Sequence, residues 1–370
     1  MRNIFIIGNG FDLAHGLKTS YGDFLDDLEK KITGKPKDFL DIIVLKRTSG
    51  YKISFMERIN AMFKNKFLEI LFRNKEHPNW SDVEYLYYKM LNQYNNREQN
   101  EKDFGRAFSY STSKDLNKDF EVVQKYLQAY LLEQQKEIKL IDGYQQLFNN
   151  YDNKSKGTLV LNFNYTNTVS MYLNNCEHIE LINIHGELEN PDNPIIFGYA
   201  ASEQESKELL DKNDTELLLN IKRYNYHLTD NEYKLNQFLD RRLSPLMVNI
   251  LGHSCGVSDR LILSEIFNNE NVSGIRQYYY NGHAGYKTTA INIARIIDDY
   301  SKTDPSVHKF IKLKTYPQSH PILQCEDMYD RSIIDFDKTN KDFVKYCEST
   351  EKVDRIPVKT GTRSIRMRNN

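Results

Sequence analysis

The sequence predicts an α/β fold: a doubly wound, mostly parallel Rossmann-like sheet with large helical insertions. Three observations predict it. Apolar runs of strand length recur along the chain, polar loops follow them, and two blocks of helical spacing interrupt them. The expected strands are Asn3 to Gly8, Thr158 to Phe163, Ile179 to His185, Pro194 to Tyr199, Leu246 to Gly252 and Ile275 to Tyr280. Between Tyr21 and Asn150 the spacing is helical, with Phe55, Ile59, Met62, Phe63, Phe67, Ile70 and Leu71 near one face, so this block is expected to be all-helical. A second helix-rich, charged stretch, Glu203 to Arg242, reads as an insertion or lid.

These readings divide the chain into a nucleotide-binding core made of residues 1–20, 151–200 and 243–320, helical insertions at 21–150 and 201–242, and a C-terminal extension at 321–370. Lys352 to Arg368 form a basic, solvated tail.

The 370 residues suffice for two ordinary domains, or for one core carrying a large insertion. Fifty basic residues against 51 acidic ones leave a net charge of −1, which argues against a generalised nucleic-acid binder. No apolar run approaches the ~20 residues of a membrane helix. Ile4 to Ile7 is too short for a signal-peptide core, and a cytoplasmic, non-membrane protein is expected. Cys176, Cys255, Cys325 and Cys347 lie far apart without C-x-x-C spacing, and the nine histidines show no metal-binding spacing, so no metal is expected.

In a doubly wound sheet, ligands bind beyond the carboxyl ends of the strands, so the loops after the strands matter most. The first is Gly8-Asn9-Gly10-Phe11-Asp12, a Gly-x-Gly turn in which glycine permits close backbone approach to phosphate. It lacks the third glycine of a dinucleotide fingerprint, so a purely structural strand-to-helix turn competes with the binding reading. Asp12 either caps a helix or faces a ribose.

Two further segments, Leu161 to Asn167 and Ile182 to Glu187, place Asn164 and His185 at strand ends. Asn164 is a candidate site residue against the alternative of an Asx turn. His185 ends an apolar strand and precedes Gly186, where side chain and backbone can face a crevice, and this reading is preferred over a satisfied core or surface histidine.

Gly252-His253-Ser254-Cys255-Gly256 satisfies the G-x-S-x-G pattern of a nucleophile elbow, with Asp259 shortly after. A serine hydrolase would then need Asp298 or Asp304 with His308 or His320; otherwise Ser254 is a hydroxyl facing a nucleotide. Gly282 to Thr288 has the wrong spacing for a phosphate loop and reads as a turn. Ser81 and Glu84 have the spacing of a capping box, which is preferred over acids projecting toward a site.

Taken together, Ile7 to Leu17, Trp80 to Glu84, Asn162 to Thr166, Ile184-His185-Gly186 and Gly252 to Asp259 resemble the bacteriophage abortive-infection AbiH family over most of the chain. That resemblance implies anti-phage defence and names no reaction.

Gly8 with Gly10, Asn164, His185-Gly186 and Gly252 with Ser254 also have the order of motifs in the sirtuin-like NAD-binding proteins. This more distant resemblance implies NAD in the crevice as substrate or ligand, with Asn164 and His185 at the catalytic positions. Gly8, Asn9, Gly10, Phe11, Asp12, Ser254 and Asp259 would bind it. The chain lacks a four-cysteine zinc module and the Pro expected after Gly16-Leu17, which disfavours protein deacylation. The expected function is an effector that cleaves the nicotinamide-ribose bond. The alternatives are a non-catalytic nucleotide or ADP-ribose sensor and the serine hydrolase. Candidate partners are a nucleotide, a phage-derived trigger and further copies of the chain.

Overall fold

Five apolar segments form one parallel sheet: β1 (Arg2–Ile7), β4 (Thr158–Asn162), β5 (Ile179–Asn183), β6 (Leu246–Leu251) and β7 (Val272–Tyr278). Their order is β5-β4-β1-β6-β7. Successive strands are added on one side of β1 and then on the other, which is the doubly wound arrangement. The computed structural model describes residues 1–45, 61–75, 80–93, 110–154, 157–240, 245–303, 341–343 and 345.

Strand alternation sets the layers. Ile4 and Ile6 join Leu159, Leu161, Val248 and Ile250 on one face. Phe5 and Ile7 join Val160 and Leu251 on the other. The first face is covered by α10 (Asn231–Leu239), α11 (Arg260–Phe267) and α12 (Gly282–Thr303), through Leu235, Phe238, Ile262, Ile266 and Ile293. On the second, Phe148 and Tyr151 of α6 (Asp142–Lys154) pack edge-on against Phe5, and Tyr172 of α7 (Ser170–Leu173) joins them.

A second core lies in the helical insertion, among α2 (Tyr21–Gly34), α3 (Lys66–Arg73), α4 (Trp80–Gln93) and α5 (Ser113–Gln134). Side-chain caps start three of them, since Ser20, Asn65 and Thr112 accept from the amides of Asp23, Leu68 and Asp115. Phe67, Ile70 and Leu71 form the buried face of α3, as their spacing predicts.

Met62 and Phe63 do not continue that helix. They belong to β3 (Ala61–Phe63), which pairs antiparallel with β2 (Ile43–Leu45), so the insertion is not all-helical. Asn65 caps α3 at the point where the strand gives way to helix. Phe55 and Ile59 lie outside the described residues.

The second insertion contributes to both cores. Leu209 of α8 (Glu203–Leu210), with Leu217 and Ile221, packs into the helical core. Tyr226, Leu235 and Leu239 pack on the sheet. This stretch ties the helical insertion to the sheet.

Pro194 to Tyr199 is not a strand. Its amides bond outside any ladder, Ile196 N–H to the His185 carbonyl, Gly198 N–H to the Glu84 carboxylate and Tyr199 N–H to the Asn220 carbonyl, and one bridge joins Tyr199 to Ile221. Pro194 has no amide hydrogen to give a ladder. The last strand is also displaced, starting at Val272 and ending at Tyr278. Gly282 to Thr288 is the first two turns of α12 rather than a turn of its own; the turn lies at Asn281 and Gly282, both with positive φ. No helix among the described residues is long and apolar enough to cross a membrane. The basic tail, Cys325 and Cys347 lie outside them.

Candidate functional site

The strand register brings the loops together. Asn183, Asn162, Ile7, Leu251 and Tyr278 are paired across the sheet in one row, so all five strands end at the same level. The residues just beyond that row, among them Gly8, Asn164, His185, His253 and Tyr279, line one cleft of about 730 Å³. It lies where the strand order reverses, between β1 and its neighbours.

The β1 and β6 loops are pressed together. Gly10 donates to the Gly252 carbonyl at 2.8 Å, and Gly8 to that of Leu251 at 3.2 Å. A Cβ at Gly8 would sit 2.6 Å from His253 Cα, and one at Gly10 would sit 2.7 Å from the Gly252 carbonyl oxygen. Gly252 has φ +75 and would place a Cβ 2.2 Å from the Phe11 amide nitrogen. The glycines of this turn are therefore required by loop-to-loop packing, a reason the sequence did not suggest.

Phe11, expected to bind the ligand, points away from the cleft. It is fully buried against His15, Tyr144 and Tyr172 in the core behind the sheet. As the third residue of the short helix α1 (Asn9–Ala14), its side chain leaves the face on which Asn9 and Asp12 meet the cleft.

Asp12 is buried. Thr166 Oγ1 donates to its Oδ2 at 2.6 Å, whereas Oδ1 makes no hydrogen bond. Burial pushes its carboxyl up to about 6, against the hydrogen bonds of its neighbours.

The Asx role belongs to Asn162, whose Oδ1 accepts from the Asn164 amide. The Asn164 side chain is thereby left to cross to β1, donating to the Gly8 carbonyl at 3.1 Å.

His185 stands two residues beyond β5, its ring edge-on to Phe163, whose other neighbour is His253. Its Nδ1 lies 3.1 Å from the Phe163 carbonyl oxygen, which can only accept, so Nδ1 bears the proton in the neutral ring. Nε2 then presents a lone pair, 3.1 Å from the Tyr226 hydroxyl and 3.2 Å from Asp259 Oδ1. Burial, helped by the Lys222 ammonium, pushes this imidazole down to about 4. The contact with Asp259 at neutral pH is thus between a neutral ring and a carboxylate.

Asp259 also faces His253. The Cys255 amide donates to His253 Nδ1 at 2.9 Å, so Nε2 carries the hydrogen and points to Asp259 Oδ2 at 3.4 Å.

Lys222 and Glu84 complete the wall. Lys222 begins α9 (Lys222–Asn225), and its ammonium lies 2.9 Å from Asp259 Oδ1 and 3.0 Å from Glu84 Oε1. Burial alone would raise Asp259, but the Lys222 ammonium, joined by the His253 N–H, outweighs it and holds the carboxylate well below its usual range. Glu84 moves the other way: burial outweighs Lys222 and lifts it to about 7. Asp259 therefore keeps the charge, and Glu84 is the first of the two to take a proton.

The capping reading of Glu84 does not hold, because α4 begins at Trp80 and Ser81 lies inside it. Glu84 instead accepts from Lys222 and from the Gly198 amide. Lys222 carries no local signature in the sequence; only the fold brings it to this wall.

Ser254 lines the cleft but is exposed, and no hydrogen bond of its hydroxyl to a histidine is present among the described residues. Positive φ falls on Gly252 and Cys255 rather than on Ser254, so the strained serine of a nucleophile elbow is not formed. Asp304, His308 and His320 lie outside the described residues, as does the side chain of Asp298. Among the described residues no group of His, Cys, Asp or Glu is placed to hold a metal.

The family model described as bacteriophage abortive infection AbiH matches residues 4–281, which run from within β1 through the other four strands of the sheet and both insertions. The chain belongs to the AbiH family. Comparison with curated proteins finds no match. Every wall residue described above thus lies within the AbiH match, from the glycine turn to the Asp259 loop and the aromatic segment after β7.

Proposed function

We propose that this AbiH-family protein is an abortive-infection effector whose cleft takes NAD as substrate and breaks the nicotinamide-ribose bond with water. One observation carries this reading: Asn164 and His185, at the ends of neighbouring strands, face the cleft that the Gly8 to Asp12 turn also lines.

In this reaction the bond from ribose C1′ to the nicotinamide nitrogen breaks, and its electron pair neutralises the pyridinium. Water forms the new C1′–O bond. The proton it loses goes to His185 Nε2, the ring nitrogen not committed to the Phe163 carbonyl, and then to solvent. The ring is unprotonated throughout the physiological range and so available to accept it, as a weak base whose burial lowers it to about 4. Asn164 holds the sugar or the water beside the Gly8 carbonyl. Asp12 Oδ1, a buried acceptor that completes no hydrogen bond although Asn164 and Thr168 are near its carboxyl, suits a ribose hydroxyl. Such a base contributes roughly 10²- to 10⁴-fold, so positioning within the closed wall supplies the remainder.

The test is nicotinamide release from NAD by the purified full chain, alone and with extract of phage-infected cells. Turnover that falls at least ~100-fold in His185→Ala and Asn164→Ala, with both variants folded, is the expected result. Saturable binding of NAD or ADP-ribose without nicotinamide release in either condition would overturn catalysis and leave a sensor.

A further inference from the structure

Three ionisable side chains meet in the cleft wall, Glu84 and Lys222 buried and Asp259 mostly so, and each comes from a different part of the chain. Glu84 belongs to α4 of the first insertion, Lys222 to α9 of the second, and Asp259 to the loop after β6. Lys222 joins the other two, at 3.0 Å and 2.9 Å, and also reaches the Ser258 carbonyl at 3.4 Å. The Asp259 oxygen it touches is the one that faces His185 Nε2. Buried ion pairs add little net stability relative to apolar residues of similar size. Stability alone does not account for a lysine here.

We propose that Lys222 is a positioning residue for His185: by occupying the Asp259 oxygen that faces Nε2, it keeps the imidazole lone pair free to take a proton, and through Glu84 it ties that state to the helical insertion.

The groups around the ring support this assignment. Tyr226 and Tyr165, from the second insertion and the β4 loop, stay neutral because burial raises both phenols. His253 directs its N–H to the other Asp259 oxygen. Lys222 is the cation that balances Asp259, with Glu84 on its far side. Without that ammonium, Asp259 would be a buried anion lacking a cationic partner, and the imidazole 3.2 Å away would take up a proton to pair with it. An imidazolium has no lone pair and accepts nothing. A shift of α4 would act through Glu84 on Lys222, which gives the insertion a physical route to the centre.

The inference rests on the proposed function for the reaction that the lone pair serves, but the protonation state is measurable without turnover. The full chain with ¹⁵N-labelled histidine is titrated by NMR from about pH 3.5 to pH 8 as wild type, Lys222→Met and Lys222→Arg, with the His185 signal assigned by its loss in His185→Gln. The wild-type ring is expected to stay neutral from pH 6 upward. Lys222→Met is expected to raise its midpoint by at least one pH unit, and Lys222→Arg to preserve the wild-type profile. An unchanged midpoint in Lys222→Met overturns the proposal. Should Lys222→Met not fold, the double variant Lys222→Met, Glu84→Gln carries the same expectation and the same refutation. If the wild type releases no nicotinamide, the catalytic reading fails while the titration still decides the role of Lys222.

Discussion

Thr166 Oγ1 donates to one oxygen of Asp12 at 2.6 Å, while the other, buried beside the cleft with the Asn164 and Thr168 side chains near the carboxyl, completes no hydrogen bond. A buried acceptor left unpaired destabilises the fold by about 1–3 kcal/mol, so the site retains a group that folding alone does not favour. Asp12→Asn removes the buried charge at similar size. We expect its melting temperature at pH 8 to equal or exceed that of the wild type, and its affinity for ADP-ribose to fall at least ~10-fold, about 1.4 kcal/mol. Lower stability with unchanged affinity would make Asp12 a structural residue.

His15 offers a stability readout away from the cleft. Its Nδ1 donates to the Phe11 carbonyl at 2.6 Å, Nε2 accepts from the Tyr172 hydroxyl at 2.5 Å, and that hydroxyl accepts from the Ile141 amide. Burial pushes the imidazole down to about 4 from an ordinary 6.5. Above pH 6.5 the ring is neutral in both states and its contribution is complete. As pH falls from 6.5 toward 4 the unfolded chain takes the proton first, and stability is lost. Between pH 7.5 and 5 this amounts to about 2 kcal/mol. Urea unfolding at the two pH values should show His15→Gln losing less on acidification by roughly that amount, while being less stable at pH 7.5.

The glycines separate packing from chain entropy. Gly252→Ala meets the Phe11 amide at 2.2 Å with φ +75, and we expect it to destabilise by more than about 3 kcal/mol or to prevent folding. Gly34, the last residue of α2, has open space around it, so Gly34→Ala should be neutral or stabilising by up to about 1 kcal/mol. Thermal melts of both variants test this, and similar effects would refute the packing account of the β1 and β6 loops.

Ser254 lacks the strained backbone of a nucleophile elbow and a histidine partner among the described residues. A fluorophosphonate probe should therefore label the wild type no more than Ser254→Ala. Stoichiometric labelling at Ser254 would reinstate the hydrolase reading.

The sheet was legible because its strands are short, apolar and closed by Gly or Asn, and five of six segments form it. Pro194 to Tyr199 looked the same locally, but its amides are claimed by loop carbonyls and by the Glu84 carboxylate, which only the tertiary fold supplies. Met62 and Phe63 fit a helical face and a strand equally well, and pairing with Ile43 and Val44 decides for the strand. At the site, His185, Asn164, Asp12 and Asp259 were readable because each follows a strand, and strand ends converge in a parallel sheet. Lys222 was not, since it lies on a four-residue helix between two insertion segments with no motif around it. Glu84 was visible as an acid at capping spacing, and its true partners are 114 and 138 residues away along the chain.

The central claim is that the β1 turn and the β6 loop flank a nucleotide. A crystal structure of the full chain soaked with ADP-ribose measures this most directly. The account predicts density between the Gly8 to Asp12 turn and the Ser254 to Asp259 loop, with a ribose hydroxyl on Asp12 Oδ1 and a sugar carbon facing His185. Ligand bound elsewhere on the protein, or a cleft that stays empty at saturating ligand, would contradict it.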